Sequence, residues 1–376
     1  MPIPGHATAE GTEKYAHWAQ TERGVNREHF RTFDSLRLSS LGVGTYLGET
    51  DPETDRLVEE AVYQSVVSGA VNVIDTAINY RMQRAERSIG RAVGRVVHDG
   101  TAGRDSLFVC SKNGYLTSDG DLTVDFWSYI QRELVKPGKL KINEIAGEVH
   151  SMSVPFLRDQ FERSLGNLGL ECLDVIYLHN AAESWLPEIG YRRFLERLGD
   201  VFSYYEKERA RGRLGYYGLA SWSCFRVPKG EAEYLNLDDV VEVAKNAAMD
   251  ERGHGFRFIQ VPFNPAMNEA LVLKNQRIAD DPLTTFEAAR RLDVGVFTSA
   301  PFGQGRLLSH PRIPALEGSK ALSLLQFSRS ASPAIIAPLV GQKDQEHVRE
   351  NLRIAQIPPL TEPEFADTYG SLVQKP

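Results

Sequence analysis

Apolar runs and helical patterns alternate along most of the chain. Short runs rich in β-branched and other apolar residues predict eight strands, and the segments after them space their apolar residues with the period of a helix. The predicted strands are residues 39–45, 71–75, 106–112, 172–179, 214–221, 256–260, 294–300 and 334–341. The predicted helices are residues 52–68, 84–97, 154–168, 191–211, 237–248, 283–292, 320–330 and 345–354. Eight consecutive strand–helix units predict a closed parallel (β/α)8 TIM barrel, an α/β fold.

Three segments fall outside this repeat. Residues 1–32 are polar and precede the first strand, so we expect an amino-terminal arm packed on the outside of the barrel. Residues 113–151 form a long insertion after the third strand, and residues 264–282 form another after the sixth. Both insertions would follow the carboxyl ends of their strands, where the loops of parallel barrels shape substrate pockets. The sequence therefore predicts a single barrel domain, residues 33–376, preceded by the arm.

An open doubly wound sheet is the alternative fold for such an alternation. That fold normally carries its phosphate-binding glycines, GxGxxG, directly after the first strand. The first strand here reads GVGTYLG, residues 42–48, which has one residue too many for that motif and no helix start behind it. A Walker-type lysine loop is also missing from the sequence. The barrel is the better interpretation.

Composition excludes several classes of partner. The apolar and charged fractions, 42% and 25%, are those of a soluble globular protein, and the net charge of −7 argues against nucleic-acid binding. We find neither a signal peptide nor a long apolar stretch, so we expect a cytoplasmic protein without a membrane partner. The three cysteines, Cys110, Cys172 and Cys224, fit neither a disulfide framework nor a zinc motif. The nine histidines form no HxH or HExxH pair, so we expect no metal.

Ionisable residues stand at the ends of the predicted strands. Asp75 ends the second strand and Tyr80 follows it, Lys112 ends the third strand, and His179 ends the fourth. Taken singly, each residue has a structural explanation, such as a helix cap, a surface lysine or a hydrogen-bonded core histidine. Because the carboxyl ends of barrel strands meet at one rim, we expect the four side chains to lie close together.

Such a set suits proton delivery to a carbonyl oxygen. A free tyrosine is a weak acid, with a pKa of about 10, and we expect the Lys112 ammonium to lower the pKa of Tyr80. Asp75 would hold that ammonium in place, while a neutral His179 would donate a hydrogen bond to the substrate oxygen. This general acid–base chemistry still requires a reductant.

These residues resemble the signature of the aldo-keto reductases. DTAINY (75–80), SK (111–112) and YLHN (177–180) fall at strand ends in that family's order, and weaker matches extend the resemblance from about residue 30 to 352. The resemblance implies a (β/α)8 enzyme that moves hydride between a nicotinamide cofactor and a carbonyl or alcohol. It makes Tyr80 the general acid and base, with Asp75 and Lys112 tuning it and His179 orienting the carbonyl.

The resemblance also implies a cofactor site at the same rim. Ser221 and Gln260 would bind the nicotinamide carboxamide, residues 301–306 would bind the pyrophosphate, and residues near 341–351 would bind the adenosine. The implied cofactor residues are Gly44, Thr45, Asp75, Ser221, Gln260, Ser299, Ala300, Pro301, Phe302, Gly303, Gln304, Gly305, Arg306, Gly341, Gln342, Lys343, His347, Glu350 and Asn351. In the pyrophosphate loop, the two glycines would let backbone N–H groups approach phosphate.

Three positions depart from the family pattern. Ala220 replaces a serine that usually helps to bind the carboxamide, and Ser299 replaces an aromatic residue that stacks on the nicotinamide. His347 replaces an arginine common in NADP-preferring members, although Lys343 remains available to meet a 2′-phosphate. We therefore favour NADP over NAD.

Two other functions stay open at this point. A nucleotide-binding regulatory subunit with little turnover would use the arm and the insertion at 113–151 as docking surfaces. A barrel lyase would use Lys112 as a Schiff base, which requires neither Tyr80 nor a nucleotide. The sequence leaves the substrate, the direction of reaction and the oligomeric state open. Trp127, Trp185, Trp222 and the aromatic residues of the insertion at 113–151 are candidates for the pocket, but burial in the core explains each of them equally well.

Overall fold

A closed parallel barrel forms the centre of the computed structural model, which describes residues 1–249 and 253–373. Eight strands close it in the order β11-β12-β3-β4-β5-β6-β7-β8, with β8 pairing β11 in parallel. The predicted TIM barrel is confirmed. The strands are β1 (Phe30–Phe33), β2 (Leu36–Ser39), β3 (Gly42–Gly44), β4 (Val73–Asp75), β5 (Phe108–Asn113), β6 (Leu173–His179), β7 (Leu214–Ala220), β8 (Phe256–Pro262), β9 (Gln276–Ile278), β10 (Asp281–Leu283), β11 (Gly295–Ser299) and β12 (Ile335–Gly341).

Helices follow each barrel strand, as predicted. Asp51 starts α2 by accepting the Thr54 N–H at 2.7 Å, and Gly169, with a φ of 65°, ends α5. The helix predicted at 283–292 starts later, at Thr285, because Leu283 pairs in β10 and Thr284 caps the helix. The helices are α1 (Ala9–Glu22), α2 (Pro52–Val67), α3 (Arg84–His98), α4 (Phe126–Ile130), α5 (Val154–Leu168), α6 (Ala181–Ile189), α7 (Tyr191–Ala210), α8 (Leu237–Ala247), α9 (Glu269–Val272), α10 (Thr285–Arg291), α11 (Lys320–Ser330), α12 (Gln345–Leu352) and α13 (Glu362–Tyr369).

The amino-terminal segment closes the bottom of the barrel. The hairpin β1–β2 places Phe33 against Phe258 inside the barrel, with ring centroids 4.8 Å apart. Helix α1 buries Tyr15, whose hydroxyl donates to the Val66 and Val71 carbonyls at 2.6 and 2.8 Å. The hairpin was not predicted from the sequence, and the limit of the arm expected at residue 32 falls inside β1.

The two insertions differ in what they cover. The insertion at 113–151 contains α4 and returns across the carboxyl face of the barrel, where Tyr115 and His150 form an antiparallel bridge. The insertion at 264–282 forms α9 and β9 and packs beside α8 and α10. It contributes no residue to the central cavity among the described residues, so the expectation that it shapes the pocket was wrong. No helix within residues 1–249 and 253–373 combines the length and apolar character that a bilayer crossing requires.

Candidate active site

Strand register brings the predicted residues to one layer. Asp75 pairs with Cys110, Lys112 pairs with Tyr177, and His179 pairs with Ala220. Because side chains alternate along a strand, residues two positions apart share a face, so Asp75, Lys112 and His179 all point into the barrel. The short, staggered strands thus collect an acid, an amine and an imidazole at the carboxyl end.

A buried ion pair lies at the centre of this layer. The Lys112 ammonium donates to Asp75 Oδ2 at 2.5 Å and to the Thr76 carbonyl at 2.8 Å, and Gln260 donates to Asp75 Oδ1 at 3.1 Å. Burial raises the pKa of Asp75, although Lys112 and Gln260 act against it. Burial lowers the pKa of Lys112, but Asp75 and Tyr80 outweigh burial and raise that pKa above its usual value. Lys112 is therefore a charged and fully buried ammonium.

This state of Lys112 contradicts a Schiff-base lyase. Such an enzyme needs a neutral amine that a substrate carbonyl can reach. Lys112 has no exposed surface, does not line the cavity, and is held in its charged form by Asp75. The lyase interpretation is wrong for this barrel.

Tyr80 lies directly beside the ion pair. The Lys112 Nζ atom is 4.7 Å from the centroid of the Tyr80 ring, and the Tyr46 ring contacts Tyr80 edge-on. The expectation from the sequence was a lowered phenol pKa. Instead, burial raises the pKa of Tyr80, and the Lys112 charge offsets only part of that rise. The phenol is consequently protonated at neutral pH, the form that can give up a proton.

His179 completes the group as a neutral imidazole. The centroid of its ring lies 5.8 Å from the centroid of the Tyr80 ring and 5.0 Å from that of the Tyr115 ring, and both contacts are edge-on. Burial, followed by the charges of Lys112 and His150, lowers the pKa of His179 well below its usual value. Its Nδ1 atom is buried without a hydrogen-bond partner in the described chain. A neutral ring can act as a hydrogen-bond donor toward a substrate oxygen.

A second buried histidine, missed in the sequence, supports the first. His150 comes from the insertion and bonds through Nε2 to the His179 carbonyl at 2.8 Å. Its Nδ1 accepts the indole N–H of Trp185 at 3.0 Å. A carbonyl only accepts and an indole N–H only donates, so these partners require the neutral Nε2–H tautomer. Burial accordingly lowers the pKa of His150 to about 4.

His150 should make the protein sensitive to acid. The pKa of His150 is lowered in the folded state, so the unfolded chain takes up this proton first and stability falls as the pH drops from 6.5 toward 4. Between pH 7.5 and 5.0 this group costs about 2 kcal/mol of unfolding free energy. We expect His150→Gln to remove this loss. The difference in unfolding free energy between the wild type and the variant should therefore be about 2 kcal/mol smaller at pH 5.0 than at pH 7.5.

Urea unfolding at the two pH values measures this effect. His98→Gln, at an exposed position, is the control and should follow the wild type at both. A His150→Gln variant with the same loss of stability as the wild type would show that this ring is not held neutral.

A cavity of about 480 Å³ opens above these groups. Its walls come from the loops and strand ends of the carboxyl face. Fourteen predicted site residues line it: Gly44, Thr45, Asp75, Tyr80, His179, Ser221, Gln260, Ser299, Ala300, Pro301, Phe302, Gln304, Gly305 and Gly341. Tyr80, His179 and the predicted nicotinamide positions therefore share one cavity.

Other predicted cofactor residues are not in this cavity. Gln342 and Asn351 are buried and bond to each other at 2.9 Å, and Gln342 also donates to Ser65 at 3.0 Å. Their side chains are thus used inside the protein, which a resemblance by position does not reveal. Lys112, Gly303, Arg306, Lys343, His347 and Glu350 also fall outside the cavity lining.

The predicted pyrophosphate loop, residues 301–306, is built from tight turns. The N–H of Gly303 donates to the Ala300 carbonyl at 2.9 Å, and that of Gly305 donates to the Phe302 carbonyl at 3.0 Å. Both glycines have positive φ, 54° and 87°, so glycine is needed for the turn itself. These two N–H groups are bonded within the loop, and the binding of pyrophosphate by residues 301–306 stays a prediction.

At the predicted adenosine end, positive and negative charges lie together. Lys343 reaches toward Gly48, where a Cβ atom would lie 3.6 Å from its Nζ. Asp344 caps α12 by accepting the N–H groups of Glu346 and His347. Lys343 thus places a cation at this end of the barrel, and the α12 N-terminus already has a carboxylate cap.

Several residues that line the cavity were not predicted as site residues. Tyr46 and Tyr115 add aromatic surface, and Asn79 and Asn180 add polar groups. Of the three tryptophans that were pocket candidates in the sequence, Trp222 lines the cavity, whereas Trp127 and Trp185 do not. A single asparagine or tyrosine in a loop has no periodic pattern that would indicate its place in a site. The one signal in the sequence was that Asn79 and Asn180 lie within the DTAINY and YLHN motifs.

Comparison with known proteins identifies the family of this chain. A barrel with an acid, an ammonium, a phenol and an imidazole at its carboxyl face is what the sequence resemblance implied. The sequence profile of the aldo/keto reductase family matches residues 40–320, and the chain belongs to this family. It is therefore one of the NAD(P)-dependent oxidoreductases.

Individual relatives are distant. Aldo-keto reductase family 1 member C23-like protein from Equus caballus is 21% identical over 346 residues, 88% of this chain and 87% of the relative. An aldo/keto reductase from Klebsiella pneumoniae, solved with NADP and acetate, has a TM-score of 0.59 at 19% identity. The holo form of an aldo-keto reductase from Bacillus halodurans has a TM-score of 0.58 at 16% identity. Both comparisons cover 93% of this chain and 96% of the other, and they establish the fold.

Proposed function

We propose that the protein is an NADP-dependent carbonyl reductase or alcohol dehydrogenase in which Tyr80 is the general acid and base. The observation that carries the proposal is the contact between Tyr80 and the Lys112–Asp75 ion pair at the floor of the cavity. Loss of NADPH absorbance at 340 nm with a panel of aldehydes and ketones tests it, and turnover with at least one uncharged carbonyl is expected.

Each side chain has a distinct role in the proposed reaction. NADPH, when bound, supplies hydride to the carbonyl carbon. The oxygen gains negative charge as the hydride arrives, and Tyr80 gives it a proton. Lys112 stabilises the phenolate that remains, and Asp75 keeps Lys112 charged and in position. His179 donates a hydrogen bond that holds the oxygen near the phenol.

The residues in the cavity fit a nicotinamide nucleotide. Ser221 and Gln260 are neighbouring polar groups, Gln260 donates to Asp75, and the loop 300–305 lines the same cavity. Lys343 is the cation available to a 2′-phosphate, which favours NADP over NAD. The Klebsiella pneumoniae aldo/keto reductases solved with NADP and with NADPH share this fold and support the same choice.

The cavity favours an uncharged substrate. Among the described residues that line it, Asp75 is the one acid, and there is no lysine or arginine. A substrate carboxylate would lose water there without gaining a cationic partner, and burying an unpaired charge is costly. Aromatic side chains, including Tyr46, Tyr115 and Trp222, provide a large part of the uncharged surface.

We therefore expect discrimination between two matched aldehydes. The value of kcat/KM for 4-carbamoylbenzaldehyde should exceed that for 4-carboxybenzaldehyde by about tenfold or more, since the two differ mainly in charge. Trp222→Arg places a cation in the lining and should reduce this ratio. Equal rates with both aldehydes in the wild type would contradict an uncharged substrate class.

A further inference from the structure

Glu183, on α6, gathers hydrogen-bond donors from the loop after β7. Its Oε1 atom accepts the Ser221 hydroxyl at 2.6 Å and the Ser223 N–H at 2.8 Å. The Cys224 N–H approaches the same oxygen at 3.3 Å. This carboxylate therefore fixes the loop and decides where the Ser221 proton points.

Ser221 is consequently restricted to accepting hydrogen bonds from a ligand. A serine hydroxyl has one proton and two acceptor positions. Its proton goes to Glu183, and one acceptor position takes the Cys224 N–H at 2.9 Å. The second acceptor position of Ser221 has neither of these partners. Because Ser221 lines the cavity, a ligand there can donate to it.

Gln260 presents a second acceptor beside the first. The Ser221 N–H donates to the Gln260 carbonyl at 2.9 Å, so the two residues are neighbours across β7 and β8. The Gln260 amide nitrogen must face Asp75, because a carboxylate only accepts. That bond leaves the Gln260 amide oxygen as a further acceptor next to Ser221.

We propose that Glu183 is a positioning residue that makes Ser221 select the NH₂ group of a ligand carboxamide. The inference rests on the proposed function, since the carboxamide is that of nicotinamide. With Glu183 present, Ser221 and Gln260 offer two acceptors, which match the two protons of a primary amide. Without Glu183, the Ser221 hydroxyl is free to rotate and donate, so Ser221 no longer distinguishes an NH₂ group from a group that only accepts, and Gln260 alone of the pair still does.

Binding of NADP⁺ and of its 3-acetylpyridine analogue, measured by calorimetry, tests this selection without turnover. The analogue has a methyl group where NADP⁺ has NH₂. We expect the wild type to bind NADP⁺ about 25-fold more tightly, the value of two hydrogen bonds at about fivefold each. Glu183→Ala should reduce the ratio to about fivefold, the value of the Gln260 acceptor that remains. Glu183→Gln should keep the wild-type ratio, because an amide oxygen accepts the same donors.

Further variants separate positioning from folding. Ser221→Ala should also lower the ratio, and adding Glu183→Ala to it should lower the ratio no further. If Glu183→Ala is too unstable to purify, Glu183→Asp replaces it. Its carboxylate is one methylene further from Ser221, so the ratio should fall to the value expected for Glu183→Ala. Glu188→Gln, on the same helix, is the matched control and should leave the ratio at the wild-type value.

Two results would overturn the inference in different ways. Equal weakening of both nucleotides in Glu183→Ala, with the ratio intact, would assign Glu183 a structural role only. Failure of the wild type to bind either nucleotide would overturn the proposed function, and this inference with it.

Discussion

Replacing Tyr80 with phenylalanine is expected to reduce kcat at least about 100-fold while the dissociation constant for NADPH stays within about twofold. The ring keeps its packing against Tyr46 and His179, and only the proton donor is lost. Steady-state rates at 340 nm and a separate fluorescence titration with NADPH measure the two quantities.

Tyr63→Phe is the matched control for this change. Tyr63 lies on α2, outside the cavity, and its hydroxyl bonds to Asp99 at 2.9 Å. That variant should retain wild-type kcat. A Tyr80→Phe variant with full turnover would remove Tyr80 from the chemistry, and parallel losses of NADPH affinity and kcat would indicate a binding role.

Removing the carboxylate of Asp75 should strongly destabilise the folded protein. Asp75→Leu leaves the Lys112 ammonium buried without its partner, and breaking one side of a buried ion pair costs about 3–5 kcal/mol. The double variant Asp75→Leu/Lys112→Met removes both charges and should recover most of that loss. Urea unfolding at pH 7.5 measures the free energies of the wild type and the two variants.

An exposed ion pair provides the comparison. Glu242 and Lys245 pair at 2.6 Å on the surface of α8, and Glu242→Ala should cost less than about 1 kcal/mol. If Asp75→Leu costs no more than this control, then the Asp75–Lys112 pair does not hold a buried charge. If the double variant is less stable than Asp75→Leu alone, the unpaired ammonium is not the source of the loss.

The barrel and the centre of its site were predictable because they follow from strand ends. A parallel barrel brings the last residues of its strands to one rim, so Asp75, Lys112, His179 and Gln260 converge from positions up to 185 residues apart. The alternation along each strand then turns these side chains inward. Apolar runs and their terminal polar residues were sufficient for this part.

The supporting contacts were not predictable, because they join loops that carry no period. His150 binds the His179 carbonyl from 29 residues away, and Glu183 binds Ser221 from 38 residues away. The sequence also could not decide the sign of the Tyr80 pKa shift. Burial raises the pKa of Tyr80 and the Lys112 charge lowers it, so the sign depends on how deeply the phenol is buried.

Positions taken from the resemblance do not reveal which polar groups already have partners inside the protein. Gln342 and Asn351 bond to each other, and the N–H groups of Gly303 and Gly305 bond within their own loop. A position in a motif predicts where the backbone runs. It does not predict whether the polar groups there are free to bind a ligand.

Transfer of deuterium from NADPH labelled at the hydride position of its nicotinamide C4 tests the central claim most directly. The wild type, mixed with the labelled cofactor and an uncharged aldehyde, should yield an alcohol one mass unit heavier, in equal amount to the NADPH consumed. Tight binding of NADPH without deuterium in any product, across the carbonyl panel, would contradict the account and favour a regulatory nucleotide-binding subunit.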